Sequence, residues 1–416
     1  MDRTTGRPGT RRIWLRTAVA VCAVALGTLG TPANATPANA APGAVTAATS
    51  TTAPDPAARA ATPWKLRTPM GETASKEFWD VASTGAKDAW IVGRNTDGAA
   101  GSTPLIRHWN GTTWTDVPAA ATGGKATWLQ EIAASAPDDA WAAGTLDDNT
   151  AVVLQHWDGK KWHKVDHAAA PEGSLSFVLD IATFGEKSAW LTGFDWNPES
   201  GAEVSYLERW TGSRWQRVSL PAAPGGGEVR PSSITGTGPD DVWVTSDAVT
   251  GDVTKPLLHH WNGSGWTVRE VPTPAESPTG WTAGHAVATG RNSVYVVGKT
   301  NEDTPKATMA TRWTGSRWES LPALPVGEAN AVGADGAGRL WIGGWTPGNR
   351  HSVLSRWTGT EWATEELPAD VTEHSEMSTV LGIAGVPGTK GVFAAGTAGC
   401  ASDPVQCGML VSRDVR

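Results

Sequence analysis

A Trp-x-Gly-x-x-Trp element occurs six times in this chain: RHWNGTTW (107–114), QHWDGKKW (155–162), ERWTGSRW (208–215), HHWNGSGW (259–266), TRWTGSRW (311–318) and SRWTGTEW (355–362). A fixed period of roughly fifty residues marks a repeated supersecondary unit whose apolar faces are buried only by its neighbours. A second element alternates with the first: DAWIVG (88–93), DAWAAG (139–144), SAWLTG (188–193), DVWVTS (241–246), SVYVVG (293–298), RLWIGG (339–344) and GVFAAG (391–396). It has seven copies, each with an aromatic at its third position, and a short apolar segment such as DVAS, EIAA or DIAT precedes it.

Each unit reads as four short strands, for example WDVAS, AWIVG, LIRHW and TWTDV. Asn-Gly, Asp-Gly or Thr-Gly turns the last hairpin. Asn-Gly and Asp-Gly suit such turns because both positions tolerate positive φ. Aromatic and β-branched residues fit a pleated, half-buried surface, and helical periodicity is absent. Radially repeated four-stranded antiparallel units of this length are blades. The expected fold is all-β, a seven-bladed β-propeller. The ends support the count: the last unit stops at GMLVSR (408–413) without a fourth strand, and PWKLRTP (63–69) matches the missing hairpin tail. The N-terminal strand, with Trp64, is therefore expected to complete the C-terminal blade and close the ring.

This pattern resembles the Trp-rich repeat propellers of exported bacterial proteins, over nearly all of residues 64–416. The period is kelch-like, although the kelch double glycine occurs only at Gly343-Gly344. The order Leu-x-x-Trp-x-Gly-x-x-Trp is also weakly similar to seven-bladed repeat lectins, a likeness that implies sugar pockets between blades. The residue before the first Trp of each hairpin is cationic (His108, His156, Arg209, His260, Arg312, Arg356), with Arg413 in line. A cation repeated beside a ring suggests stacking in the scaffold rather than catalysis.

Residues 1–40 read as a signal peptide: Arg11, Arg12 and Arg16 precede an uncharged run from Thr17 to Leu29, and Ala-x-Ala exits end at Ala35 and Ala40. Residues 41–62, rich in Ala, Thr and Pro, read as a flexible spacer, leaving 63–416 as the propeller. A secreted or cell-envelope, monomeric protein without a membrane span after processing is expected. The net charge is −8, and the leader's five Arg and one Asp leave the remainder near −12, with no Lys/Arg cluster. That balance argues against nucleic acid as a partner. Cys400 and Cys407, a close pair in an exported chain, read as a disulfide.

No nucleophile elbow, zinc-protease helix, phosphate loop, dinucleotide fingerprint or EF-hand loop is present. In a repeat protein the recurring residues build the scaffold, so function is sought where blades differ. Five tryptophans lie outside the repeat: Trp79, Trp128, Trp196, Trp281 and Trp345. All map to the face formed by the interblade connections and the loops joining second to third strands. Those loops are acidic, carrying Asp97, Asp147, Asp148, Asp195, Glu199, Asp247, Asp252, Glu302, Asp303 and Asp403. On the first strands Asp80, Glu131 and Asp180 share one aligned position, with Ser233, Ala286, Ala331 and Gly382 in the other blades. His285 and Asn330 stand one position earlier on their strands. Three carboxylates converging at the channel mouth could hold a divalent cation, or divide acid and base roles as a hydrolase or lyase. The favoured expectation is a non-enzymatic module binding a carbohydrate or peptide on this face. A cell-envelope scaffold is the third reading.

Overall fold

The computed structural model describes residues 63–97, 101–251, 253–273, 280–300, 308–345, 351–373, 375–400 and 406–415. The leader and spacer, residues 1–62, lie outside the described residues, and Pro63–Arg416 forms one compact unit. Seven four-stranded antiparallel sheets follow in chain order. Blade one consists of Lys76–Gly85, Asp88–Asn95, Thr103–Trp109 and Trp114–Asp116. The first strands of the other six are Thr127–Ala136, Leu175–Thr183, Glu228–Gly238, Trp281–Gly290, Glu328–Ala334 and Ser378–Gly385. Each first strand touches the first strands of both neighbouring blades, so the seven form a closed innermost ring. Two one-turn helices, Met70–Thr73 and Ala369–Thr372, sit in connections, and no helix among the described residues is long and apolar enough to cross a membrane.

The ring closes as the hairpin count predicts. Lys65–Leu66 pairs with the last strand, Gln406–Arg413, as the outermost strand of blade seven. Trp64 is buried and meets Trp341 of blade six edge-to-face at 5.4 Å. Its indole N–H donates to Glu365 at 2.9 Å, and Glu365 also ion-pairs with Arg413. Arg67 donates to the carbonyl of Val415 at 2.6 Å and bonds Ser412.

The same contact recurs around the ring and explains the repeat. The second-strand aromatic of one blade receives the edge of the fourth-strand Trp of the next: Trp90 with Trp162 at 5.3 Å, Trp141 with Trp215 at 5.1 Å, Trp190 with Trp266 at 5.5 Å, and Phe393 with Trp114 at 5.8 Å. On its other side that aromatic carries the cation opposite it on the third strand. His108 lies 4.1 Å from Trp90, and His260 stacks on Trp243 at 3.8 Å. In blades one, two and four the His also bonds an Asp at the start of the second strand: Asp88, Asp139 and Asp241, at 2.7, 2.8 and 2.8 Å.

Two details of the pattern follow from backbone geometry. Every first strand carries a bulge, which in blade one falls between Phe78 and Asp80. The bulge drives the carbonyl oxygen of Glu77 to 1.8 Å from where a Cβ on Gly93 would stand, and six of the seven second-strand motifs end in glycine, Ser246 taking that place in blade four. Arg413 departs from expectation. Phe393 is paired with Ser412 and Val392 with Arg413, so Ser412 takes the cation position and Arg413 that of the Trp. From there Arg413 lies 5.5 Å from the Trp341 ring and pairs with Glu365, joining the closure instead of repeating the stack.

Cys400 and Cys407 are disulfide-bonded, with Cα atoms 5.3 Å apart. Residues 401–405 between them lie outside the described residues. Two stability predictions follow from closure and staple. Trp64→Ala should cost about 3–5 kcal/mol by urea denaturation, whereas exposed Lys65→Ala should stay within about 0.5 kcal/mol; similar values for the two would mean that the N-terminal strand does not close the ring. Replacing both cysteines by serine should cost only about 2–3 kcal/mol, because the enclosed loop is short.

Candidate functional site

The innermost ring contains one side chain per blade at the position that follows each bulge: Asp80, Glu131, Asp180, Ser233, His285, Ala331 and Gly382. The three carboxylates do occupy equivalent register. His285 joins them, and not Ala286, because the bulge in blade five falls between Ala283 and His285. Asn330 stands in the bulge of blade six, equivalent to Trp79 and not to the carboxylates.

Asp80 and Asp180 tie blades together. Asp80 accepts from its own Val81 N–H at 2.8 Å and from Ile132 N–H of blade two at 3.0 Å. Asp180 accepts from Ser233 Oγ at 2.8 Å and Ile234 N–H at 2.7 Å, both in blade four. Ser233 repeats the device, accepting from Ala286 N–H of blade five at 3.1 Å. Gly382 completes the seam, since a Cβ there would stand 2.5 Å from Asp80 Oδ1. Glu131 differs: its side chain is one methylene longer, and among the described residues it accepts no hydrogen bond.

Burial sets the titration of the ring. It pushes Asp80 up to about 7 against the pull of the Ile132 and Val81 N–H groups, with repulsion from Asp180 adding. It pushes Asp180 up to about 6 against three hydrogen bonds. Glu131 is raised well above the ordinary range by burial and by repulsion from Asp80 and Asp180. His285 is held down to about 4 by burial and then by Lys299. All four side chains keep some solvent access. Among the described residues no three His, Cys, Asp or Glu are arranged to hold a metal ion. The divalent cation expected at Asp80, Glu131 and Asp180 therefore has no preformed set of ligands.

The unrepeated tryptophans divide by burial. Trp281 is fully buried, donates to the Pro272 carbonyl at 3.1 Å and belongs to the core between blades four and five, so it offers no ring to a ligand. Trp128 is 8% exposed and donates to Thr145 at 2.6 Å. Arg94 lies over its ring at 5.0 Å, held by Glu77. Trp79 meets Trp128 edge-to-face at 4.7 Å and is half-buried. Trp196 and Trp345 end their second strands, both half-buried, and Trp345 donates to Ser378 O at 3.1 Å. Four of the five stand within two residues of strand ends on one face. Trp79 lies slightly deeper, in the bulge of blade one.

The acidic loops divide in the same way. Asp195 and Asp247 are buried, Asp195 accepting from Ser176 at 2.8 Å and Asp247 from Ala283 N–H at 3.2 Å. Asp97, Asp147, Asp148 and Glu199 are exposed, while Asp252, Glu302, Asp303 and Asp403 lie outside the described residues.

No family model and no curated protein matches the chain. Among solved structures it is similar to a crystallised protein of unknown function from Dyadobacter fermentans, at 10% identity and a TM-score of 0.46, over 85% of this chain and 98% of that one.

The raised carboxyls make a signed prediction. They bind protons more tightly folded than unfolded, so their stabilisation is complete below about pH 4 and is lost as pH rises through about 6 to 7. Wild-type stability should therefore fall between pH 5 and pH 8. Glu131→Gln, which breaks no hydrogen bond, should flatten that fall and be the more stable protein at pH 8. Identical pH profiles in urea denaturation would exclude the ring as a titrating unit.

Proposed function

We infer that the protein is an exported, non-enzymatic binding module that takes a carbohydrate on the face formed by second-to-third-strand loops and first-strand starts. One observation carries the reading. The large apolar side chains most exposed among the described residues, Val204, Val253 and Met377, all stand at strand starts on this face, which also carries the half-buried Trp79, Trp196 and Trp345. Apolar surface gathered on one side of a rigid disc is where a ligand binds. Indole faces stack on the C–H faces of sugar rings, and the exposed carboxylates at Asp97, Asp147, Asp148 and Glu199 accept bonds from hydroxyls. An acid–base mechanism at the channel is less favoured, because Asp80 and Asp180 already accept bonds that hold blades together.

A glycan array probed with the full chain tests this. A hit should bind the Trp79→Ala/Trp196→Ala/Trp345→Ala variant at least about tenfold more weakly, equivalent to about 1.4 kcal/mol. Trp281→Phe serves as a core control that leaves affinity intact. An array without hits, or a triple variant that binds like the wild type, would overturn the reading.

A further inference from the structure

On the opposite face blades three, five and six carry Arg where blades one, two and four carry His, and in blade six Arg356 Nε has no hydrogen-bond partner while Arg339, paired with Asp335, opens the second strand. In blades one, two and four the cation over the second-strand aromatic is His, and its counter-charge is the Asp that opens the strand. In blade three Ser188 stands where that Asp stands, and Arg209 where the His stands, paired across from Trp190. Blade five makes the same exchange but satisfies it, with Arg312 Nε donating to Ser293 Oγ at 3.0 Å and Thr289 bonding that oxygen at 2.8 Å. Blade three does not. Arg209 Nε has no hydrogen-bond partner, and neither does the Ser188 hydroxyl, on a residue only 5% exposed. Among the described residues the Arg209 guanidinium makes no ion pair; it lies between Trp190 at 5.3 Å and Trp261 of blade four at 5.5 Å.

Both residues border a shallow, open depression walled by Phe184 and Pro239 and edged by Lys187 and Glu186. A guanidinium clamped by two rings and stripped of its carboxylate lacks a counter-charge, and a buried hydroxyl without a partner lacks an acceptor. A carboxylate supplies the missing counter-charge, since the outer edge of the Arg209 fork binds it bidentately. We propose that this recess between blades three and four binds a small organic carboxylate with an apolar body, the carboxylate on the outer edge of the Arg209 guanidinium and the body against Phe184 and Pro239. The site lies on the face opposite the carbohydrate face, so either can fail without the other.

The test uses benzoate as the probe, with benzamide as its neutral isostere and acetate as the anion without an apolar body. The wild type should bind benzoate by calorimetry with a Kd on the order of 1 mM, acetate at least about tenfold more weakly, and benzamide undetectably. Ser188→Asp, which restores the pattern of blades one, two and four, should fold and abolish benzoate binding by giving Arg209 an internal carboxylate. Arg209→Gln should abolish it as well. Glu186→Gln should tighten it by removing like charge at the edge. No benzoate binding by the wild type, equal binding of benzamide or acetate, or undiminished binding by Ser188→Asp would each overturn the proposal. Should Arg209→Gln not fold, Ser188→Asp alone decides.

Discussion

The structure depends on the edge-to-face contact between the second-strand aromatic of one blade and the fourth-strand Trp of the next. A twisted four-stranded sheet cannot bury both faces alone, so its stability is a property of its junctions. Each aromatic pair contributes about 0.5–1.5 kcal/mol beyond its buried area, and its angular preference sets the blade-to-blade geometry. The interplanar angles of 89°, 82°, 85° and 86° at four junctions, and 89° at the Trp64 closure, show one geometry repeated at five of the seven junctions. The His or Arg on the other face of the ring makes the aromatic a shared element of its own blade and the next.

The channel ring obeys the same logic with polar groups. Each first strand is the inner edge of its sheet, and Asp80, Asp180 and Ser233 reach across to accept backbone N–H groups from a neighbouring blade's first strand. Asymmetry that reads as a site in the linear chain is therefore partly scaffold. Glu131 and His285 are the ring members that make no hydrogen bond among the described residues. Charge at such positions is destabilising, and so burial holds the acid protonated and the base neutral.

Blade three shows how a repeat acquires an exception. Exchanging the Asp–His couple for Ser188 and Arg209 keeps the stack on Trp190 but removes the counter-charge. The scaffold tolerates this because two indole faces partly offset an unpaired guanidinium. What remains is a cation with a defined approach direction.

Seven blades, their strand order and the closure through Trp64 are legible in the sequence, because turn glycines, alternating aromatics and a fixed period act locally and repeat. The site was legible only in part. The alignment of Asp80, Glu131 and Asp180 survives, since it depends on distance from a repeated motif. Sequence spacing places His285 one residue before the carboxylate position and Arg413 in line with the stack, whereas a bulge or a shifted pairing changes register without changing composition. Burial lay beyond the sequence altogether: nothing adjacent to Trp281 or Trp79 says that one is core and the other half-exposed. Nor does any local signal say that Asp80 holds Ile132 while Glu131 holds nothing. Those distinctions arise from contacts between residues some fifty positions apart, and only the closed ring brings such residues together.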